Sequence, residues 1–213
     1  DRYLIIPALR AMQLNESHKD PLSVTAHFLR PGTGNEQAEI SAELIRSGRS
    51  VTTTRGTLRQ SGTTRLELMA AFGDLSESSA HDYEIVIEPP DIPPPEECLE
   101  RSGEQQGVDL VINNRVEMRM SSPDPGNTGQ PKAEVSGWIR LVDGRDPDVL
   151  SLVLFADAFP PPIFSYVGRV GWVPTIEFTA HIRKRPEPGW VQGKFWTEDL
   201  RDGRMIETGL LWD

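Results

Sequence analysis

The sequence predicts an α+β fold: two antiparallel sheets, each wrapped around one helix, joined side by side. Three observations predict it. The strand-like hexapeptide Ser23-Val24-Thr25-Ala26-His27-Phe28 returns as Glu177-Phe178-Thr179-Ala180-His181-Ile182, and an internal repeat bears on the whole fold assignment. Each copy follows a segment of helical spacing and precedes a basic turn bearing proline or glycine. Between the copies, residues 89–107 carry Pro89, Pro90, Pro93, Pro94 and Pro95, then acidic and glycine-rich sequence. Proline has no N–H to give a ladder and fixes φ, so this stretch is excluded from a central strand and reads as a stiff linker. The expected division is an N-terminal unit over 1–88, the linker over 89–107 and a C-terminal unit over 108–213.

Each element follows from local pattern. Tyr3, Leu4, Ile6, Leu9, Met12 and Leu14 recur near helical spacing within residues 1–16, and Pro7 is tolerated there only in a first turn. Residues 21–31 alternate as a strand, with Leu22, Val24 and Phe28 sharing a face with Ala26. Strands are expected over 37–45 and 50–59 about a turn at Arg46-Ser47-Gly48-Arg49. Ser61-Gly62-Thr63 turns the chain into another at 65–72. Beyond the linker, strands are expected over 115–120 and 134–142, with a proline- and glycine-rich loop at 121–131 between them. Asp146-Pro147-Asp148 opens an apolar helix over 149–159, where acidic residues suit the positive helix end and proline suits the first position. Pro160-Pro161-Pro162 interrupts it. Residues 174–183 alternate as a strand, and 190–198 and 204–212 form a hairpin turned at Asp202-Gly203.

Composition removes several function classes. The chain has 213 residues and a net charge of −10, which disfavours non-specific nucleic-acid binding, since that depends on basic patches. No apolar run reaches the ~20 residues of a membrane span, and the start lacks the basic region and cleavage site of a secretory signal. The single cysteine, Cys98, excludes an intrachain disulfide, argues against a cysteine-based metal site and suits a reducing cytoplasm. It reads as an inert linker thiol. No metal or cofactor is expected. Basic groups cluster at Arg46 and Arg49, and at Arg183, Lys184 and Arg185; these read first as solvated strand ends.

The stretches Pro21 to Pro31, Arg46-Ser47-Gly48-Arg49-Ser50-Val51 and Phe72-Gly73-Asp74-Leu75 resemble the first half of the acyl-CoA thioesterase II (TesB-like) superfamily. Pro93-Pro94-Pro95-Glu96-Glu97-Cys98 resembles its linker. Asp157-Ala158-Phe159-Pro160-Pro161, Trp172-Val173-Pro174-Thr175 and Pro188-Gly189-Trp190 resemble its second half. The likeness keeps order and spacing over nearly the whole chain. It implies a double hotdog that hydrolyses fatty acyl-CoA to free fatty acid and CoA, in the cytoplasm and as a homo-oligomer. In the family, a carboxylate on the second helix, a Thr at the next strand's start and a Gln on a terminal strand hold the attacking water. Asp157 and Thr175 match the first two. In the family the strand bearing the Gln follows the segment that ends here at Asp213, so either it is absent from this sequence or the glutamine's role falls to another residue; in a gapless alternative register Glu207 takes its place.

These residue types suit thioester hydrolysis, which needs an oriented water, an acceptor for its proton and donors for the developing oxyanion. An acid inside the apolar run of residues 150–159 calls for a reason, because an unpaired buried carboxylate is costly; the plain alternative is a surface position at the helix end. Thr175 alternatively just opens a strand. Phe155, Phe159, Phe164 and Trp172 are expected along the acyl chain, and arginines at strand ends near the CoA phosphates. His27 and His181, equivalent in the repeat, read as structural. No Gly-x-Ser-x-Gly motif marks a covalent serine mechanism. Two other readings stand beside the hydrolase: a non-catalytic acyl-CoA or lipid-binding hotdog protein, and a hotdog hydratase, for which no base motif is present.

Overall fold

In a computed structural model of the chain, the residues described are 4–14, 17–76, 84–101, 114–121, 132–168, 171 and 173–213. Tyr3 and most of the 121–131 loop lie outside them. The elements run α1 (Ile5–Leu14), β1 (Asp20–Phe28), β2 (Glu39–Ser47), β3 (Thr52–Gln60), β4 (Thr63–Gly73), β5 (Leu99–Glu100), β6 (Val116–Met120) and β7 (Ala133–Leu141). Then come α2 (Val149–Ala158), α3 (Ile163–Val167), β8 (Glu177–His181), β9 (Val191–Arg201) and β10 (Arg204–Trp212). The strands make two five-stranded antiparallel sheets, ordered β2-β3-β4-β1-β8 and β10-β9-β7-β6-β5. The chain forms two compact units. One draws on residues 1–83, 148–154 and 174–185, the other on 84–147, 155–173 and 186–213.

In the first unit, Ile5, Ala8, Leu9 and Met12 form the buried stripe of α1, the i, i+3, i+4, i+7 spacing of an amphipathic helix. Pro7 sits in the first turn, where its missing N–H has no helical acceptor to lose. The stripe joins Leu58, Leu66, Leu68 and Phe72 in one core; each such side chain contributes roughly 1.5–3 kcal/mol when fully buried. The β3–β4 turn has φ of 47° at Ser61 and 73° at Gly62, the positive pair that a two-residue hairpin of matching twist requires.

The repeated hexapeptides meet each other. β8 follows the second helix in the chain, yet it pairs with β1 in the first sheet, with Val24 opposite Ala180, Thr25 opposite Thr179 and Ala26 opposite Phe178. Exchanging the two copies reproduces this register, so a local two-fold axis passes between Thr25 and Thr179. Their hydroxyls lie 3.2 Å apart on that axis. Equivalent strands with the same alternation satisfy each other's ladder groups in this way.

In the second unit, the proline-rich segment lies against the sheet. Pro95–Glu97 makes one 3-10 turn, and β5 is a two-residue edge strand beside Met120 and Arg119, a position that proline-bearing sequence can occupy. The preceding residues give carbonyls. Trp138 donates its indole N–H to Pro93 O at 2.9 Å, Gln192 its amide to Pro90 O at 2.6 Å and Trp212 its indole to Ile87 O at 2.7 Å. Those three donors stand abreast on one sheet face. Proline residues keep their acceptors although they lack donors, so the segment is held from the sheet side.

α2 opens on a reciprocal cap. Asp148 Oδ1 accepts from the Ser151 N–H at 2.7 Å and hydroxyl at 2.8 Å, and Ser151 Oγ accepts from the Asp148 N–H at 3.1 Å. Pro147 therefore precedes the cap, not the first helical position, because the carboxylate takes the capping role. The proline run does more than end α2: Pro162 has φ −58° and ψ −27°, a helical conformation that starts α3. The stretch Val149–Val167 reaches 19 residues at a mean hydropathy of 1.4, long and apolar enough to cross a membrane; 83% of that window is buried inside the fold. That burial is what a core helix shows.

Candidate active site

Asp157 lies in the last turn of α2 and keeps 7% of its surface. It is therefore interior, and the surface position that sequence alone leaves open is excluded. Its neighbours in the helix are apolar: Phe155 is 0% exposed and Ala158 4%. Phe159 follows, 2% exposed, and stacks on Phe195 of β9 with ring centroids 4.6 Å apart at 26°. Gly193, two residues earlier on that strand, makes room for the ring, since a Cβ there would lie 2.5 Å from Phe159 Cζ. An aromatic pair of this kind adds about 0.5–1.5 kcal/mol beyond burial and fixes the chain just past Asp157.

Beside this turn stands Arg101, directly after β5. Its guanidinium donates to the Ala158 carbonyl at 3.3 Å and lies 3.3 Å from Met118 Sδ. A helix leaves its last carbonyls without intrahelical partners, and α2 has no basic residue of its own in its last turn. Sequence reading passed over Arg101; the signal available was a lone arginine just beyond the edge pattern Leu99-Glu100.

The other expected residues are distributed as follows. Phe164 is buried in α3, 7% exposed, in the same unit as Asp157. Thr175 is half-buried in the segment before β8 and belongs to the other unit. Trp172 lies outside the described residues. Glu207 is exposed on β10, opposite Thr197 and beside a bulge. His27 and His181 are exposed; His27 stands between Glu67 and Glu177 on neighbouring strands. Arg185 is committed to structure: it bonds Asp20 at 2.8 Å, and Asp20 also accepts the Leu75 N–H at 2.8 Å. The Cys98 thiol donates to Pro93 O at 3.3 Å. Burial pushes that thiol up, with Glu97 and Glu96 adding to the effect, which leaves little thiolate at neutral pH. Among the described residues, no group of three or more His, Cys, Asp or Glu is placed to hold a metal ion.

A cavity of about 850 Å³ opens in the second unit, lined among others by Ile163, Tyr166, Lys194, Trp196, Leu210 and Trp212. Its size suits small-molecule sites, which span about 300–1,000 Å³. Neither Asp157 nor Phe155, Phe159 or Phe164 lines it. Lys132 and Lys194 are there offset by Glu88, Glu134 and Glu198, so the lining has no cationic excess for phosphates. Chemistry points to the end of α2 rather than to this cavity.

Residues 3–73 match the family model described as the acyl-CoA thioesterase N-terminal domain, and residues 90–213 match its C-terminal counterpart. Among curated proteins, the uncharacterized protein Rv0499 of Mycobacterium tuberculosis (strain H37Rv) is 26% identical over 194 residues, which is 82% of this chain and 64% of that relative's own length. The chain thus spans under two thirds of the curated relatives it matches. Among solved structures, a Thermobifida fusca protein provisionally assigned as a thioesterase II is 29% identical, with a TM-score of 0.84 over 100% of this chain and 79% of that one. A protein of unknown function with a hot dog fold from Alicyclobacillus acidocaldarius is 20% identical, with a TM-score of 0.80 over 99% and 80% of the two chains. The acyl-CoA thioesterase II TesB2 of Mycobacterium marinum is 19% identical, with a TM-score of 0.70 over 99% and 81%. The last two bear on fold alone, and the fold is the α+β double hotdog that the repeat predicts.

Proposed function

Because this chain belongs to the acyl-CoA thioesterase family, we propose that it hydrolyses fatty acyl-CoA to a free fatty acid and CoA, with Asp157 as the base. The supporting observation is the buried carboxylate at the end of α2, a helix with no other ionisable side chain. In the proposed step, Asp157 takes a proton from a water molecule as its oxygen attacks the thioester carbonyl. The tetrahedral oxyanion then collapses, the C–S bond breaks, and the thiolate of CoA leaves and is reprotonated. General-base assistance of this sort contributes about 10²–10⁴-fold. Thr175 is the hydroxyl that the family resemblance assigns to orienting the water. Phe155, Phe159, Phe164 and Trp172 are the residues proposed along the acyl chain. The repeat halves are assigned to residues 1–88 and 108–213 about the linker 89–107.

Thiol release from acyl-CoAs of graded chain length, measured beside their binding to the same protein, tests this reading. Steady release without an initial burst is expected, since no covalent acyl-enzyme accumulates. Tight binding with no thiol release overturns it in favour of a non-catalytic acyl-CoA-binding protein.

A further inference from the structure

We propose that the outer face of the second sheet is a recognition site for proline-rich chain in the polyproline II conformation, and that residues 87–93 of this protein are its built-in occupant. The inference is independent of the hydrolase reading.

The occupying strap has its shape set by sequence. Proline fixes φ, and the residue before a proline is pushed to extended backbone. Between Glu88 and Pro95, Asp91 is the one residue that is neither a proline nor followed by one. Pro94 has φ −61° and ψ 159°, close to the polyproline II values of about −75° and +145°. That helix repeats about every three residues and makes no internal hydrogen bonds, so its carbonyls turn outward. The carbonyls taken by the sheet are those of Ile87, Pro90 and Pro93, one for each turn. Acceptors at that spacing lie along one side of the helix.

The donors suit those acceptors. Trp212 on β10, Gln192 on β9 and Trp138 on β7 are neighbours in adjacent strands, so the strap crosses the three strands in turn. Indole and amide N–H groups bond carbonyls, the backbone polar groups that proline keeps; Pro93 O also accepts the Cys98 thiol. Gln192 is 6% exposed, so a buried polar side chain is aimed at the strap, its Nε2 2.6 Å from Pro90 O. The strap's own side chains contribute less: Ile87 is 66% exposed, and Glu88, Pro89, Asp91 and Pro93 are exposed as well. The face therefore holds backbone of proline's shape rather than particular side chains. Aromatic-lined grooves recognise proline-rich segments through that preformed shape, which costs little ordering entropy.

The face also continues past the strap. Trp196 and Lys194 alternate in register with Gln192 along β9, and Leu210 with Trp212 along β10, so all five share one side of the sheet. Trp196, Lys194, Leu210 and Trp212 line the cavity of about 850 Å³, and so do Ile87, Glu88 and Pro90 of the strap. The cavity thus lies alongside the strap and offers indole and aliphatic surface to a competing proline-rich chain.

The test adds a synthetic peptide of residues 84–95 to the whole chain and follows tryptophan emission. Tethered in cis, the strap acts at an effective concentration of about millimolar, so wild type should bind the peptide weakly. Pro89→Gly, Pro90→Gly and Pro93→Gly together leave every carbonyl in place and free the strap's backbone. That triple variant is expected to bind the peptide saturably and at least about tenfold more tightly than wild type. Adding Gln192→Leu should weaken this binding by about tenfold, and a peptide with glycine for its prolines should not bind. No binding by the folded triple variant up to about millimolar peptide overturns the proposal, as does equal affinity of wild type and triple variant. Equal binding of the glycine peptide overturns it too, by assigning the contact to Ile85, Val86 and Ile87. So does an affinity unmoved by Gln192→Leu. Thermal melting establishes folding. If the triple variant does not fold, wild type and Gln192→Leu alone are compared by limited proteolysis after Glu84 and Asp91. Faster cleavage in Gln192→Leu is then expected, and equal rates overturn the proposal.

Discussion

The two helices carry the two repeats to different ends. Both α1 and α2 have ten residues, and the ninth is Gln13 in one and Asp157 in the other. Gln13 is half-buried and gives its amide to the Lys19 carbonyl, so it serves the loop that follows. Asp157 is interior, and the prolines after it close the helix with Phe159 stacked on Phe195. A shared architecture therefore leaves room for one copy to become scaffold while the other keeps a buried ionisable group. What separates them is the setting of one turn.

The sharpest structural contrast lies beneath each helix. A Cβ on Gly56 would meet Met12 Sδ at 2.6 Å, while one on Gly193 would meet the Phe159 ring at 2.5 and 2.7 Å. A thioether end can swing aside; a ring packed against Phe195 cannot. Gly193→Ala is expected to cost about 3 kcal/mol and Gly56→Ala about 1 kcal/mol, read from urea midpoints. Equal losses would break the contrast.

The cap of α2 ranks next. Asp148→Ala removes the acceptor of the Ser151 N–H and hydroxyl and should lower stability by about 1 kcal/mol, seen as a drop in Tm. No drop would mean that the first turn of α2 is held by packing alone.

The smallest effect is the pH-dependent one. Burial pushes the Glu117 carboxyl up, but its bonds to Arg140 and Arg119 outweigh this and hold it below the ordinary range. Arg140 also stacks over Trp190 at 4.4 Å. A carboxylate depressed in the fold stabilises at pH values above its unfolded pKa, and that contribution disappears as pH falls through the folded value. Wild type should therefore exceed Glu117→Gln by up to about 1 kcal/mol above pH ~5, with the gap closing below about pH 4. A gap that persists at pH 3 would assign the difference to packing.

Much of this was legible in the residues. Alternation and turn chemistry located the hairpins: the positive φ at Ser61, Gly62, Asp202 and Gly203 is what Ser-Gly and Asp-Gly announce. The family resemblance singles out Asp157, and its place as the lone acid of an apolar run supplies a physical reason for it. Alternation says that a strand has two faces but not which neighbour it takes, so the pairing of β8 with β1 was not readable. Nor were α3 after three prolines, where fixed φ favours a new helix as readily as a stop, and the carbonyl contacts of the linker. Arg101 stayed hidden because its partner, the Ala158 carbonyl, is a backbone group 57 residues away that no side-chain pattern reports. Thr175 precedes β8, which begins at Glu177, so its hydroxyl sits in a connecting segment rather than at the strand's first residue.

The difference between the two helix ends is tested most directly by thiol release from acyl-CoA with Asp157→Asn and Gln13→Leu side by side. Loss of at least about 100-fold in kcat is expected for Asp157→Asn, with acyl-CoA binding retained, and less than about a twofold change for Gln13→Leu. Equal turnover in the Asp157→Asn variant and wild type would contradict the account, whatever the affinity.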